Sequence, residues 1–271
     1  MFRKFKARTR QRAAYLDVAL RRPRSRPHGL DTPLIVSLTS YPSRYATLVH
    51  TLRALLRQTV RPDMTILWIE KDHQDQLPSE ILDLKTRGLS IGTGEKIRSY
   101  NKIIPVLREY PGATIVTADD DIYYPRTWLE KLVAARQQDA ECQVLCHRGH
   151  RIALDGDGVP SPYKQWQRPA KLPEQSRLIF PTGVMGVMYG PDAFHPDMAR
   201  SDLFTELSPT TDDVWLYWMT RLRGHDARKI ESDIRIVEWP GSQATNLRLG
   251  NIHESGNDNA IAGMIARYGF P

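Results

Sequence analysis

Cysteine is scarce in this sequence: Cys142 and Cys146 are the only two in 271 residues. That is too few for a disulfide scaffold in a chain of this size and predicts a reducing compartment. Long apolar runs are missing as well. No stretch reaches the ~18 to 20 consecutive apolar residues of a membrane-spanning helix, and the first residues lack the apolar core of a secretory signal. Both absences predict a cytoplasmic protein. Acidic charge is nearly absent from residues 1–27, which hold ten Lys or Arg and one acid, Asp17. That segment carries +9, so a chain total of +7 leaves the remainder at −2. The charge is therefore not a patch spread over a folded face, the usual footprint of a nucleic-acid binder, and a nucleic-acid partner is not expected. Phe2, Phe5, Tyr15, Leu16, Val18 and Leu20 stand among the basic residues. Residues 1–31 are expected to form a basic arm, either lying peripherally on an anionic membrane surface or solvated and disordered.

What remains, residues 32–271, is enough for one catalytic domain, and 41% hydrophobic residues can supply its core. Leu34 to Leu38 has the β-branched content of a buried strand. Tyr45, Leu48, Leu52, Leu55 and Leu56 then recur at helical spacing, and Met64 to Ile69 forms a second strand after the turn at Arg61-Pro62-Asp63. A short helix from Pro78 to Gly88, a weak strand from Leu89 to Ile91 and a helix around Ile103, Ile104, Val106 and Leu107 follow, with Pro105 kinking or starting that helix. Ala113 to Ala118 is a fourth strand. Alternating strands and helices predict an α/β fold with a mostly parallel central sheet flanked by helices, whose ligands bind beyond the carboxyl ends of the strands. The second half is less regular. Cys142 to Ile152 and Ile234 to Val237 read as extended, Pro160 to Pro173 as a loop, and Val214 to Leu222 and Asn257 to Tyr268 as helices.

The fourth strand runs straight into Asp119-Asp120-Asp121. Three adjacent carboxylates repel one another unless a cation neutralises them or they stay solvated, and Mg²⁺ or Mn²⁺ is the hard ion that such oxygens select. A plain acidic turn ahead of a helix is the alternative. A second acidic pair, Asp212-Asp213, precedes the Val214 helix. It can supply a helix cap through Asp212, a general base through Asp213, or both. Cys142, Cys146, His147 and His150 include all the residue types of a zinc site, but their spacing suits none of the closed ones. Tyr163, Trp166 and Trp239 can stack on a sugar or pack in the core.

The strand ending in Asp119-Asp120-Asp121 resembles the Asp-any-Asp signature of GT-A glycosyltransferases, in particular their family 2-like bacterial members. Four further segments in order support the resemblance: Val36 to Pro42 with Arg44, Lys96 to Lys102, Thr182 to Tyr189, and Thr211 to Leu216. The resemblance covers roughly Leu34 to Tyr268. The resemblance implies a Rossmann-like GT-A fold with a nucleotide-binding half over about 32–125 and an irregular acceptor-side half over about 126–271. It assigns Thr39, Tyr41 and Arg44, with Lys96, Arg98, Lys102, Asp119 and Asp120, to the nucleotide-sugar donor. It assigns Asp119 and Asp121, completed by His253, to Mn²⁺ or Mg²⁺. Asp213, beside Asp212, is then the base of an inverting transfer from a nucleotide sugar, a UDP-sugar by family precedent, to a hydroxyl of a glycan or lipid-linked glycan in cell-envelope polysaccharide synthesis. The rival readings are a metal-dependent phosphatase or phosphotransferase, which Tyr123 two residues after Asp121 disfavours, a nucleic-acid binder acting through the basic tail, and a catalytically dead glycan-binding relative.

Overall fold

A computed structural model describes residues 2–22, 25–170, 174–242 and 256–271. Its centre is an eight-stranded sheet in the spatial order Leu89–Gly94, Met64–Glu70, Leu34–Thr39, Thr114–Ala118, Val187–Tyr189, Val144–Cys146, Ala227–Lys229, Glu174–Ser176. The first four are mutually parallel, as the β-α-β reading of the first half predicts. Leu34–Thr39 is buried along nearly its whole length, which suits the centre of a sheet covered on both faces. From it the chain winds outward through Met64–Glu70 and Leu89–Gly94, then returns to pair Thr114–Ala118 on the opposite flank. The strand order therefore reverses between Leu34–Thr39 and Thr114–Ala118, and their carboxyl ends flank a crevice of the kind in which α/β sheets bind ligands.

Helix Tyr45–Leu55 carries its predicted apolar stripe, with Leu48, Leu52 and Leu55 almost fully buried. Pro105 lies in the first turn of helix Ile104–Glu109, where its missing N–H costs nothing, so it starts that helix and does not kink it. Gly88 ends the preceding 3₁₀ turn at φ +97°, a left-handed position that favours glycine. Helices Asp212–Leu222 and Gly256–Tyr268 fall at the predicted places and pack on each other.

The second half departs from expectation. The extended run from Cys142 to Ile152 is two short strands: Val144–Cys146 stays in the main sheet, whereas Gly149–Arg151 pairs with Ile179–Pro181 in a separate ribbon. Gly149 lets the ribbon close, since a Cβ there would sit 3.1 Å from Ile179 and 3.2 Å from the carbonyl of Phe180. Val187–Tyr189 is an unpredicted strand that runs antiparallel to both its neighbours. The expected Ile234 to Val237 strand does not form; Tyr123 N–H donates to the Val237 carbonyl at 2.9 Å, and the next residue, Glu238, bridges to Ile122.

The basic N-terminal segment is helical over Phe2–Leu20, and its C-terminal half docks on the domain. Ala14 and Val18 are buried, and Tyr15 packs against His50 and Trp239. Arg21 is buried behind them and donates to the carbonyls of Ala54 (3.0 Å) and Tyr124 (2.7 Å) and to Asp17 (2.7 Å). Among the described residues no helix is long and apolar enough to cross a membrane.

Candidate active site

The carboxyl ends of Leu34–Thr39 and Thr114–Ala118 carry the loops that begin the site. All five residues of Thr114–Ala118 are buried, and the chain emerges from the core at Asp119. Tyr124, fully buried, accepts a hydrogen bond from the Asp119 backbone N–H at 2.7 Å and so fixes the acidic turn from beneath. The next two carboxylates are held from the other strand end. Asp120 Oδ2 accepts from Ser40 Oγ at 2.6 Å, and Asp121 Oδ2 lies 2.5 Å from Nη1 of Arg44, which is also 3.8 Å from Asp120. Arg44 Nε donates to the hydroxyl of Tyr41 at 3.1 Å, and its guanidinium lies over the Tyr41 ring. Thr39 turns its hydroxyl to the carbonyl of Trp68, so this side chain serves the sheet.

Lys102 enters from a third segment. Asn101 clamps the backbone N–H and C=O of Glu95 at 2.9 and 2.6 Å, and Gly94 leaves room for that clamp, because a Cβ there would lie 2.8 Å from the amide. The turn before it holds Arg98 at φ +55°. Tyr100 donates to the carbonyl of Ser208 at 2.6 Å, and the Ser208 hydroxyl lies 2.6 Å from that of Thr211. The residues flanking Lys102 and Asp212 are thereby tied to one point. Lys102 Nζ, almost wholly buried, lies 2.8 Å from Asp212 and 3.7 Å from Asp119. Asp212 is the first residue of its helix, and its carboxylate pairs with Lys102 instead of capping the N-terminus. Asp213 Oδ1 accepts from the backbone N–H of Gly183 at 2.9 Å. A Cβ on Gly183 would stand 2.9 Å from that oxygen and 3.1 Å from Lys102 Nζ. The Gly183 turn continues through Met185 at φ +75° and Gly186 at φ +80°, anchored where Trp128 Nε1 donates to the Met185 carbonyl at 2.6 Å.

Five half-buried or buried carboxylates thus face two cations. Burial, reinforced by Asp121, pushes Asp120 up to about 7. Burial and the neighbouring Asp212 push Asp213 up to about 7, and burial raises Asp119 to about 6 against the pull of Lys102. Burial works against the charge on Lys102 and Arg44, but the surrounding carboxylates more than offset it and hold both firmly protonated. The cluster therefore carries more negative charge than its own cations neutralise. Its donors are hard oxygens, the ligand type that Mg²⁺ and Mn²⁺ take. Among the described residues no three Asp, Glu, His or Cys side chains converge on one point.

Lys96 is exposed and pairs with Asp72 at 2.7 Å, away from the acidic cluster, and Arg98 is also exposed. His253 lies outside the described residues. Tyr163, Trp166 and Trp239 are buried in the core and offer no ring to a sugar. His147 spends one ring nitrogen on Ser232 and the other on the carbonyl of Trp128, which leaves neither for zinc. Sequence reasoning missed Tyr124 and, as individual residues, Ser40 and Gly183. The last two lay inside segments singled out for other members, and only the tertiary contacts distinguish them.

No family model matches this chain, and a search of curated proteins finds no relative. Solved structures do resemble it. S. aureus TarS 1-349 in complex with UDP-GlcNAc aligns with a TM-score of 0.51 at 15% identity, covering 86% of this chain and 66% of that one. The UDP complex of the same fragment gives 0.50 at 15% identity, covering 75% and 59%. The glucosyl-3-phosphoglycerate synthase from Mycobacterium tuberculosis, in complex with Mn²⁺, UDP and glucosyl-3-phosphoglycerate, covers 89% of this chain and 81% of its own at 13% identity, with a TM-score of 0.46. The match thus takes in less than two thirds of the TarS fragment. At these identities the likeness establishes the fold, which is GT-A.

Proposed function

We propose that this chain is a metal-dependent glycosyltransferase that moves a sugar from a nucleotide-sugar donor, a UDP-sugar, to a hydroxyl of a glycan or lipid-linked glycan acceptor. The observation that carries the proposal is the meeting of Asp119 with Asp212-Asp213 at Lys102, beside Asp120 and Asp121 on Arg44, at the point where the strand order of a GT-A sheet reverses. TarS in the two matched structures holds UDP and UDP-GlcNAc, which favours a uridine donor.

Asp119 and Asp121 would hold Mg²⁺ or Mn²⁺, and the bound ion would supply neutralisation of the charge that builds on the diphosphate leaving group. Arg44, 2.5 Å from Asp121, and Lys102, 3.7 Å from Asp119, aim these carboxylates. Thr39, Tyr41 and Asp120 belong to the donor side of the crevice. Asp213 is the base. Gly183 fixes its Oδ1, and its Oδ2 takes the proton from the acceptor hydroxyl as that oxygen bonds to the anomeric carbon and the bond to the diphosphate breaks. The attack from the opposite side inverts the anomeric centre. A pKa near 7 leaves a large fraction of Asp213 ionised at neutral pH while keeping it basic enough to accept the proton. The reaction belongs to cell-envelope polysaccharide synthesis, with the enzyme peripheral on the cytoplasmic face of the membrane.

The test is thermal stability of the full chain against a panel of nucleoside diphosphates, with and without Mn²⁺, for the native protein and Asp121→Ala. A ligand at a hundred times its dissociation constant stabilises the folded state by about 2.7 kcal/mol. We expect UDP to raise the midpoint only with metal, and the variant to lose the response. A flat response to every nucleotide overturns the proposal. Anomeric configuration of the product, read by NMR, tests inversion.

A further inference from the structure

A second surface feature lies where helix Tyr45–Leu55 meets the N-terminal helix. Two adjoining cavities of about 350 and 400 Å³ share Arg53, Arg57 and Arg87 in their walls. The larger is completed by Tyr15, Leu16, Val18 and Ala19 of the N-terminal helix and by His50. Its surface is mainly apolar, and its charge comes from the three arginines. Among the described residues none of the three forms an ion pair. Arg57 is pinned instead through Nη1 to the carbonyl of Val18 at 2.9 Å. Burial lowers the basicity of Arg57, and so do Arg87, Arg53 and Arg21, which means that like charges are held close together. Glu80 is near enough to act on His50, and Asp17, on the same helix as Leu16 and Val18, is taken up by Arg21.

Three cations that repel one another across a cavity lined with Tyr15, Leu16, Val18 and Ala19 fit a ligand with an anionic head and an apolar body. The surroundings extend the same pattern. Lys6, Arg8, Arg10, Arg12 and Arg22 are exposed along the helix, and Leu16 and Leu20 are 62% and 77% exposed beside them. Large aliphatic side chains left in water next to basic ones are what a surface resting on anionic lipid presents. We infer that Arg53, Arg57 and Arg87, with the apolar wall of the N-terminal helix, form a binding site for the phosphate head group of an anionic membrane lipid. The occupant is chosen by charge complementarity: the site supplies guanidinium groups, which recognise phosphate, and places them beside apolar surface that a nucleic-acid backbone has no use for. The inference is independent of the donor site, because none of its residues touches the acidic cluster.

The test is flotation of the full chain with vesicles of phosphatidylcholine alone and of phosphatidylcholine mixed with phosphatidic acid. Arg87→Gln and Arg53→Gln serve as variants. Arg87 is exposed, so its replacement leaves the fold intact, and the UDP and Mn²⁺ stabilisation of each variant is measured in parallel to report the donor site separately. We expect binding only to the anionic vesicles, weakened about fivefold by each substitution. Midpoint shifts with inorganic phosphate and with a short-chain phosphatidic acid separate head group from tail, and only the second is expected to stabilise strongly. Equal binding to neutral vesicles, unchanged binding in both variants, or equal stabilisation by free phosphate overturns the inference. So does binding of an RNA or DNA oligonucleotide that the same substitutions abolish while vesicles are ignored.

Discussion

Asp213 shows how a single side chain is tuned by its position. Its carboxylate shares a buried corner with Asp212, and one of its oxygens is held by a backbone N–H, so its ionisation is costly but not prevented. A folded-state value raised to about 7 means that the native chain holds a proton that the unfolded chain releases near 4. The associated stability is fully present below about pH 4 and is lost as pH rises through about 7. Asp213→Asn keeps an acceptor for Gly183 and removes the charge. In the absence of metal it should therefore raise the unfolding free energy at pH 8 by roughly 1 to 2 kcal/mol and change it little at pH 4, as chemical denaturation at the two pH values will show. The same variant should lower kcat by about 10²- to 10⁴-fold, the usual contribution of a general base, with KM for the donor little changed. Gly183→Ala tests geometry instead of charge. The added carbon meets Asp213 at 2.9 Å and Lys102 at 3.1 Å, so one of them must shift. Turnover should fall at least about tenfold, because misplacement of a catalytic group by about 1 Å is costly. Donor-dependent stabilisation should survive. Of these residues, Asp119, Asp121, Asp212 and Asp213 were legible as strings of acids next to predicted elements. Gly183 and Ser40 were not, since neither residue type announces a partner 30 or 80 positions away.

At the scale of elements, the parallel half was readable because buried strands and amphipathic helices of ordinary length leave strong periodic signals, as in Leu34–Thr39 and Tyr45–Leu55. The antiparallel half was not. Val144–Cys146, Val187–Tyr189 and Ala227–Lys229 are three residues each, too short for any period to register, and they form in succession, Val187–Tyr189 on the edge of Thr114–Ala118, Val144–Cys146 on Val187–Tyr189, and Ala227–Lys229 on Val144–Cys146. The N-terminal helix poses the same problem in reverse. Its composition reads as a charged arm, yet Ala14, Val18 and Arg21 are built into the domain. Removing residues 1–10 should leave stability within roughly 0.5 kcal/mol, since residues 6–10 are exposed. Removing residues 1–21 uncovers apolar surface and takes the Arg21 donor from the carbonyls of Ala54 and Tyr124, and should cost about 2 to 4 kcal/mol in urea unfolding.

For the whole molecule, two sets of buried titratable groups pull stability in opposite directions with pH. The acidic cluster favours low pH. His147 and His150 favour neutral pH, because burial holds them down at about 4 and about 3 and so keeps them neutral in the fold. Their contribution is complete above the unfolded value near 6.5 and is lost as pH falls toward the folded values. His150→Gln should therefore flatten the loss of thermal stability between pH 6.5 and 4, while Asp213→Asn alters the slope between 4 and 7.5, and scans of the two variants across pH will separate the contributions.

The sequence by itself determined the α/β class, the run of parallel strands in its first half and the two acidic motifs, because each depends on neighbours within about one element of the chain. Tertiary structure alone decided that these motifs converge on Lys102, that Arg44 sits on Asp120 and Asp121, that three arginines and the N-terminal helix wall a cavity, and that the aromatic candidates are core. Those facts rest on contacts between residues tens to hundreds of positions apart, and their energetics, burial and charge coupling, arise only when the chain closes on itself.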